Sequence, residues 1–368
     1  MSAGTPAVSV VVPSFNGLPY LREAVASILG QTLAAIELVL VDDGSTDDTA
    51  SYVATIADPR LRYLQQENRG LAASRNVGIR AARGPYVAFL DHDDRFALDK
   101  LARQASVLDE RPDVGVVYTG WRHIDATGRA MRRTGWDRID GDILPILILG
   151  NVMHPSTMMV RRDPVVAAGA FDESRTGLED WDLWVRLAAG GIRWACVDAP
   201  LVDYRLHPAQ MSKHGARRRL DNRLAILDRT YAAPYLTPEV RSLEALAYQN
   251  AFLMGTADYH RAGQLDESRA AFRAAVERRP AILTEPRRLR TLCRSLNPMG
   301  AQHVSTTAAD WRATGRTLRD LVRDAVRHPD APPEVRRLAG RARWAVIRTV
   351  ATLARKRAKG AILGDHKG

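Results

Sequence analysis

The sequence predicts an α/β fold, in which helices flank a Rossmann-like, mainly parallel sheet, followed by a basic, all-helical C-terminal region. Strand and helix patterns alternate along the first third of the chain. The charge then changes sign: residues 1–204 carry 21 Lys and Arg against 27 Asp and Glu, whereas residues 205–368 carry 32 against 15. Because 46% of the 368 residues are hydrophobic, the chain can bury a core, which argues against global disorder.

The first four strands are predicted at residues 8–12, a β-branched run closed by Pro13, and at the short apolar segments 36–41, 61–64 and 86–90. Helical spacing of apolar residues follows each run, at residues 18–29, 45–56, 71–82 and 98–108. This alternation implies βαβ units with parallel strands and right-handed connections. Ligands collect at the carboxyl ends of such strands, and polar clusters follow three of the four runs.

After residue 114 the alternation gives way to a mixed pattern. Further strands are expected at residues 114–118, 151–160 and 193–197, a hairpin or turn region at 122–132, and a helix at 178–189. Beyond about residue 211 the pattern is almost wholly helical. Residues 243–280 resemble one tetratricopeptide-like helix pair, or they form an ordinary helical extension.

Asp91, Asp93 and Asp94 follow the fourth predicted strand. Carboxylates this close repel one another unless a cation or hydrogen-bond donors compensate their charge. Their oxygens suit Mg²⁺ or Mn²⁺, which keep coordination positions open for phosphate. The alternative is a solvated acidic loop that caps the helix after it.

Two other polar clusters end predicted strands. Asp42 and Asp43 follow the second strand, where an acid can accept hydrogen bonds from a nucleotide base or ribose, or can form a turn and a helix cap. Pro13, Ser14 and Asn16 follow the first strand and would serve any turn.

Glu179 and Asp180 open the helix predicted at residues 178–189. The helix macrodipole favours negative charge there, which is a sufficient structural explanation. The functional interpretation is that one carboxylate is a general base, because a neighbouring like charge raises its pKa. Trp181 and Trp184 either line a substrate pocket or lie in the core, and the core is favoured for Trp184.

Six motifs, in this order and spacing, resemble the family 2 glycosyltransferases of the GT-A fold. They are VSVVVPSFN at 8–16, SILGQT at 27–32, ELVLVDDGSTD at 37–47, ENRGLAASRN at 67–76, YVAFLDHDD at 86–94 and EDWDLW at 179–184. The resemblance covers roughly residues 6–210, a little over half of the chain.

The resemblance implies an inverting hexosyl- or glycosyltransferase that uses Mn²⁺ or Mg²⁺. The donor would be a nucleoside-diphosphate sugar, with UDP the expected nucleotide, and the acceptor a glycan or a lipid-linked molecule in surface polysaccharide, cell-wall or glycolipid synthesis. The catalytic domain would span residues 1–212, with a nucleotide-sugar half at about 1–112 and an acceptor half at about 113–212. Residues 213–368 would form the helical region.

The resemblance also assigns roles to single residues. The donor would contact Pro13, Ser14, Asn16, Asp43, Arg75, Asp91 and His92. The metal would bind the DxD pair Asp91 and Asp93 together with His207, which also fits a turn histidine before proline. Asp180 would be the catalytic base with Glu179 beside it. The acceptor pocket would include Trp181 and His154, although His154 equally fits a core position.

The expected location is the cytoplasm. No signal peptide is visible, and no apolar stretch approaches the ~20 residues that cross a bilayer. Cys196 and Cys293 are too few for a disulfide framework, which indicates a reducing compartment. Processive members of the wider family carry membrane spans and a QxxRW motif; their absence from this sequence favours the addition of one or a few sugars.

The end of the chain combines an apolar helical stripe over residues 335–353 with a basic segment at 355–359. Such a pattern indicates peripheral binding to an anionic membrane, here the inner face of the plasma membrane, or a helix packed on the protein with a solvated basic face. No nucleic-acid-binding module is recognisable, so no nucleic acid partner is expected.

Two alternatives stay open at this point. A nucleotidyltransferase-like enzyme usually carries a Gly-rich, Arg-bearing loop after its first strand, where this chain has Pro13 to Asn16. A non-catalytic GT-A-fold binding protein, recruited by its helical tail, predicts loss of the acids, whereas Asp43, Asp93 and Asp180 are all present.

Overall fold

The computed structural model describes residues 5–134, 136, 138–207, 215–296, 308–342 and 345–349. The chain divides into two compact units, Met1–Ser212 and Lys213–Gly368. The first unit combines strands with helices, and the second is built from helices.

The first half of unit 1 alternates strands and helices. Its elements are β1 (Val8–Ser14), α1 (Leu18–Leu29), β2 (Ile36–Asp42), α2 (Thr49–Ala54), β3 (Leu61–Gln65), α3 (Leu71–Ala81), β4 (Tyr86–Phe89), β5 (Arg95–Phe96) and α4 (Lys100–Glu110). The second half contains β6 (Val114–Ile124), β7 (Ala130–Thr134), α5 (Leu144–Leu147), β8 (Met159–Arg161), α6 (Arg162–Ala167), α7 (Glu179–Ala189) and β9 (Arg193–Arg205).

Four parallel strands form one side of the sheet. β1 lies between β2 and β4, and β3 pairs with the outer side of β2. β1 and β2 are buried along their whole length, which is typical of strands covered by helices on both faces. The predicted βαβ alternation is confirmed.

The sheet continues in the order β4, β8, β6, β9, β5, and the described residues contribute nine strands in all. β8 runs antiparallel to both β4 and β6, and β9 runs parallel to β6. β5 and β7 are antiparallel to β9 and β6. The predicted α/β class is therefore confirmed, and the sheet is mixed because the second half adds antiparallel strands.

A strand predicted over residues 151–160 is present only at its end. β8 is three residues long, and Pro155–Thr157 before it forms a 3-10 turn. Pro155 has no amide hydrogen to donate to a strand ladder, which favours a turn at this point. The turn brings Ser156 next to the acids that follow β4.

Parallel register brings three polar segments to one edge of the sheet. Ser14 is in register with Asp42, and Val11 with Phe89. Helix α3 packs tightly beside this edge, because a Cβ on Gly78 would lie 2.2 Å from Cγ1 of Val11. A larger residue at this position would push the helix away from β1.

The helices of unit 2 are α8 (Ala216–Tyr231), α9 (Pro238–Ser242), α10 (Glu244–Arg261), α11 (Leu265–Arg278), α12 (Pro286–Leu296), α13 (Ala308–Arg327) and α14 (Pro333–Arg337). Within the described residues 215–296, 308–342 and 345–349, the predicted all-helical character is confirmed. α10 and α11 form a helix pair within residues 243–280, and α10 also packs on α8 and α12. In the part of the chain that the structure describes, none of the helices combines the length and apolar character that crossing a bilayer requires.

The apolar stripe of the C-terminal helix faces the interior of unit 2 in its described part. Val335, Ala342 and Val346 belong to a buried cluster with residues of α11, α12 and α13. This part of the stripe therefore stabilises the helical unit and is not a free lipid-binding face. Residues 350–368, which include the basic segment at 355–359, lie outside the described residues.

Candidate active site

The loop after β1 is joined to the loop after β2. Asn16 adopts a positive φ of 48°, and its Oδ1 accepts a hydrogen bond from the Thr46 amide at 2.8 Å. Its own amide donates to Ser45 Oγ at 2.9 Å. Pro13 and Ser14 lie buried at the end of β1. Two of the three predicted donor-binding residues therefore end β1, and the third, Asn16, lies in the cross-linked loops.

Asp43 lies directly after β2 and is buried. Its Oδ1 accepts hydrogen bonds from Gln66 Nε2 at 2.6 Å and from the Arg69 amide at 2.9 Å, and its Oδ2 accepts from the Gly70 amide at 2.8 Å. Gly70 has a φ of 90°, which glycine adopts without strain. Asp43 thus fixes the loop that enters α3. The sequence analysis missed Gln66, which no motif position marked.

Asp93 and His207 are in direct contact, although 114 positions separate them. Asp93 Oδ2 lies 2.8 Å from His207 Nε2, and Arg205 Nε donates to the Asp93 carbonyl at 2.8 Å. Burial acts to raise the pKa of Asp93, but the hydrogen bond with His207 and the neighbouring histidines outweigh it and lower that pKa. The structure therefore brings together two of the three predicted metal ligands.

The third predicted ligand, Asp91, has another partner. Its Oδ1 accepts a hydrogen bond from Arg75 at 2.7 Å. Among the described residues, no three His, Cys, Asp or Glu side chains form a group that could hold a metal on their own. The carboxylate of Asp93 and the imidazole of His207 still suit Mn²⁺, which accepts both kinds of ligand, provided that a bound diphosphate supplies further oxygens.

Asp94 holds the acidic loop in place. Its Oδ2 accepts from Ser156 Oγ at 2.6 Å, and its Oδ1 accepts from the Arg205 amide at 2.9 Å. Ser156 Oγ in turn accepts the Asp91 amide at 3.1 Å. Burial, followed by the nearby charges of Asp93 and Asp91, raises the pKa of Asp94 well above its usual value. The role of Ser156 and Arg205 was not anticipated from the sequence.

Arg75 bridges the acidic loop and helix α7. Its guanidinium donates to Asp91 at 2.7 Å and to Glu179 at 3.0 Å, and its side chain is 2% exposed. Burial acts against its charge, but the two carboxylates outweigh it and raise its pKa. The guanidinium lies between two acids of the candidate site, and the place of Arg75 near the donor stays a prediction.

Asp180, the predicted base, is half-buried at the start of α7. Its Oδ2 accepts from Asn151 Nδ2 at 2.8 Å, and its Oδ1 accepts from the Trp181 amide at 2.7 Å. Burial and then the charge of Glu179 raise the pKa of Asp180 to about 7, against the opposing effect of Arg75. Because Glu179 is paired with Arg75, Asp180 is the better candidate for a proton acceptor near neutral pH.

Trp181 does not line a pocket. It is 3% exposed, and its indole N–H donates to the Leu147 carbonyl at 2.7 Å. The predicted acceptor role of Trp181 is therefore corrected to a core role. Trp184 also lies in the core, as the sequence favoured, with its ring 5.9 Å from that of Trp194 in a T-shaped contact.

The two remaining predicted histidines lie in different surroundings. The His92 ring packs against the backbone at the start of α1, where a Cβ on Gly17 would lie 2.3 Å from His92 Cδ2. His154 is half-buried, is stacked on Tyr204 with ring centroids 4.3 Å apart, and meets Trp121 edge-on at 4.7 Å. His92 thus borders the loop after β1, and His154 belongs to an aromatic cluster.

Comparison with known proteins shows which sequences and structures this chain is similar to. Residues 9–166 match the family model for glycosyl transferase family 2. An uncharacterized glycosyltransferase of Rickettsia prowazekii (strain Madrid E) is 33% identical over 190 residues, which cover 50% of this chain and 58% of that protein. Chondroitin synthase of Escherichia coli is 30% identical over 189 residues, which cover 50% of this chain and 27% of that protein.

Solved structures share the fold at low identity. S. aureus TarS 1-349 has a TM-score of 0.59 and 18% identity, over 86% of this chain and 91% of that one. The mannosyltransferase PcManGT from Pyrobaculum calidifontis has a TM-score of 0.52 and 21% identity, over 94% and 86%. The chain spans less than two thirds of the length of the curated relatives it matches. Residues 9–166 are therefore similar to the family 2 glycosyltransferases, and the chain shares the GT-A fold of the solved structures.

Proposed function

We propose that this protein transfers a sugar from a nucleoside-diphosphate sugar to an acceptor hydroxyl with inversion at the anomeric carbon, and that it depends on Mn²⁺ or Mg²⁺. The observation that carries the proposal is geometric: Arg75 pairs with Asp91 and Glu179, whereas Asp93 contacts His207 at 2.8 Å and Asp180 accepts a hydrogen bond from Asn151 at 2.8 Å. One carboxylate, Asp180, has a pKa of about 7, and another, Asp93, keeps a lowered pKa beside His207. A single-displacement transfer needs one proton acceptor and one charged anchor for the leaving group.

In this proposal Asp180 accepts the proton of the acceptor hydroxyl. The acceptor oxygen bonds to the anomeric carbon while the bond from that carbon to the diphosphate oxygen breaks, so that the nucleoside diphosphate leaves with the electron pair. A single displacement of this kind inverts the anomeric centre. Asn151 orients the carboxylate through its bond to Oδ2, and Arg75 holds Glu179 away from the reacting hydroxyl.

Asp93 and His207 would hold the cation. The guanidinium of Arg205 positions Asp93, because its Nε donates a hydrogen bond to the main-chain carbonyl of Asp93. When bound, a divalent cation supplies positive charge that neutralises the diphosphate leaving group. The mixed oxygen and nitrogen donor set favours Mn²⁺ over Mg²⁺, since Mg²⁺ binds almost only oxygen ligands.

For the nucleotide and the acceptor we propose a class of molecule. TarS has been solved with UDP-GlcNAc, and PcManGT with GDP-Man and Mn²⁺, so the shared fold accommodates two different bases. UDP is the nucleotide we expect. The acceptor is expected to be a glycan or lipid-linked molecule in surface polysaccharide or glycolipid synthesis, in keeping with the name of the relative chondroitin synthase.

Peripheral binding to an anionic membrane surface is proposed for the basic segment at residues 355–359 alone. The apolar stripe before it is used inside unit 2 as far as the structure describes it. Five consecutive positions that include Arg355, Lys356, Arg357 and Lys359 still provide four cations, each worth about 1 kcal/mol near an anionic surface.

The test is calorimetric binding of UDP, GDP and dTDP to the full chain, with Mn²⁺ and with EDTA. One nucleotide is expected to bind tightly only with Mn²⁺. Asp93→Ala should weaken that binding about 10- to 100-fold. The control is Asp113→Ala, whose side chain is 51% exposed. If no nucleotide binds the folded protein with Mn²⁺ present, or if Asp93→Ala binds like the wild type, the proposal is wrong.

A further inference from the structure

Three aromatic side chains form a cluster that the donor chemistry does not use. Trp121 comes from β6, Tyr204 from β9, and His154 from the segment before the 3-10 turn. The His154 ring is stacked on Tyr204 at 4.3 Å with an interplanar angle of 27°, and it meets Trp121 at 4.7 Å and 86°. All three side chains are half-buried, so each combines a packed portion with an exposed one. We call these three residues the aromatic wall.

The aromatic wall is tied to both halves of the candidate active site. His154 lies between Asn151, which donates to Asp180, and Ser156, which accepts the Asp91 amide. The segment that carries His154 therefore runs from the proposed base to the acidic loop. On the other strand, Tyr204 lies three residues before His207, which contacts Asp93. The two segments that carry His154 and Tyr204 thus connect the aromatic wall to the proposed base and to the acidic loop.

The chemistry of the aromatic wall favours a neutral, ring-shaped ligand. Burial, followed by the charge of His123, lowers the pKa of His154 to about 4, so its imidazole is neutral at pH 7. Trp121 and Tyr204 add apolar ring surface without formal charge. The face of an aromatic ring is electron-rich and packs well against the polarised C–H bonds on one face of a pyranose. An open-chain polyol phosphate offers no flat face and loses more conformational freedom on binding.

We infer that the acceptor is a glycan whose terminal pyranose ring packs on the aromatic wall of Trp121, His154 and Tyr204, with the hydroxyl to be glycosylated directed toward Asp180. This inference rests on the proposed function, because it names the acceptor class of the same site. It makes Trp121 and Tyr204 acceptor-binding residues and assigns them no part in donor binding.

The experiment measures saturation transfer from protein aromatic protons to small acceptor probes by NMR, on the full chain with diamagnetic Mg²⁺ and the nucleotide found by calorimetry. The probes are the methyl β-pyranosides of glucose, galactose and N-acetylglucosamine; ribitol 5-phosphate and glycerol 3-phosphate serve as comparison. At least one pyranoside is expected to receive transfer on one ring face. Trp121→Leu and Tyr204→Leu should weaken its binding about tenfold, the value of losing such aromatic contacts, while nucleotide affinity changes less than about twofold.

Two matched variants separate binding from folding. Trp121→Phe retains an aromatic face and should retain most of the binding, with a thermal unfolding midpoint close to that of Trp121→Leu. Tyr235→Leu removes an aromatic ring that is 67% exposed and lies in the other unit. This variant should change neither pyranoside binding nor nucleotide binding. If nucleotide binds but no pyranoside does, or if Trp121→Leu binds the pyranoside like the wild type, the inference is wrong and the proposed function stands. If only a polyol phosphate binds, the acceptor class is overturned in the same way. Failure of every nucleotide to bind would instead overturn the proposed function, and the inference with it.

Discussion

Replacing Asp180 by asparagine is expected to separate catalysis from stability. Asp180→Asn preserves the size of the side chain and can keep one of its two hydrogen bonds, to Asn151 or to the Trp181 amide. It removes the proton acceptor, for which a loss of about 10²- to 10⁴-fold in kcat is expected. Nucleotide affinity should not change, since the proposed anchor of the leaving group is Asp93. In the wild type, kcat should rise with pH around a midpoint near 7, because the carboxylate is the active form.

The same substitution has a calculable effect on folding. The pKa of Asp180 rises from 3.8 to about 7 in the folded chain, so the folded state binds the proton more tightly than the unfolded state does. The contribution of Asp180 to the free energy of unfolding is at its maximum below pH 4, and it falls as pH rises from about 4 to 7. At 1.36 kcal/mol per pKa unit the ionised side chain then costs at most about 4 kcal/mol. Asp180→Asn removes this cost and loses one hydrogen bond worth about 1 kcal/mol, so a net gain of about 1–3 kcal/mol is expected at pH 8 and none at pH 4.

Two assays measure the effects of Asp180→Asn on catalysis and on stability. Release of nucleoside diphosphate gives kcat, and urea unfolding at pH 4 and pH 8 gives the free energy of unfolding. The contrasting variant is Asp182→Asn on the same helix, which weakens a buried ion pair with Arg186 at 2.8 Å and should lower stability at both pH values. Near-normal turnover by Asp180→Asn would remove Asp180 as the base. A variant that is less stable than the wild type at pH 8 would refute the argument from burial.

Three further predictions concern the surroundings of the base and the tail. Arg75→Gln removes the cation beside Asp180, so the midpoint of the pH–rate profile should shift upward by about 1 unit. Arg75→Lys keeps a cation and should shift the midpoint less. An unchanged midpoint for Arg75→Gln contradicts the bridging role of Arg75. Ser156→Ala leaves the buried Asp94 with one donor fewer and should lower the free energy of unfolding in urea by about 1–3 kcal/mol, and an unaltered urea midpoint would show that the hydroxyl is dispensable. A chain that ends at residue 349 lacks the basic segment and should no longer sediment with phosphatidylserine vesicles at low salt; equal sedimentation of both chains would rule out that segment as the membrane contact.

The parts of the site that the sequence predicted are those that depend on local order. Parallel strands place their carboxyl ends along one edge, so Ser14, Asp43 and Asp91 could be assigned to one site from the alternation of strands and helices alone. The pairing of Asp93 with His207 could be proposed only through the family resemblance, because 114 positions separate the two residues.

The parts that were missed depend on long-range pairing in the mixed half of the sheet. Asn151, Ser156 and Arg205 reach the acids across 29, 62 and 111 positions, and no periodicity in the sequence reports such contacts. Trp181 was misplaced for a different reason. Trp181 and Trp184 have the i, i+3 spacing of residues on one helix face. Because Trp184 was expected in the core, the same spacing indicated a core position for Trp181 as well.

The five acids of the acidic loop and the start of α7 are in different electrostatic states, and this difference follows from their neighbours. Asp91 and Glu179 share the guanidinium of Arg75, so their charges are compensated within the protein. Asp94 has a pKa raised well above its usual value by burial and by the acids beside it, and its two hydrogen bonds are used to hold the loop. Of this group, Asp93 is left with a lowered pKa and Asp180 with a pKa of about 7. Five carboxylates of similar intrinsic acidity thus become two structural partners, one loop anchor, one permanent anion and one group that can exchange a proton at neutral pH. The last two are the groups that sugar transfer from a diphosphate donor requires, which is why Arg75, which compensates the charges of Asp91 and Glu179, is expected to influence the reaction.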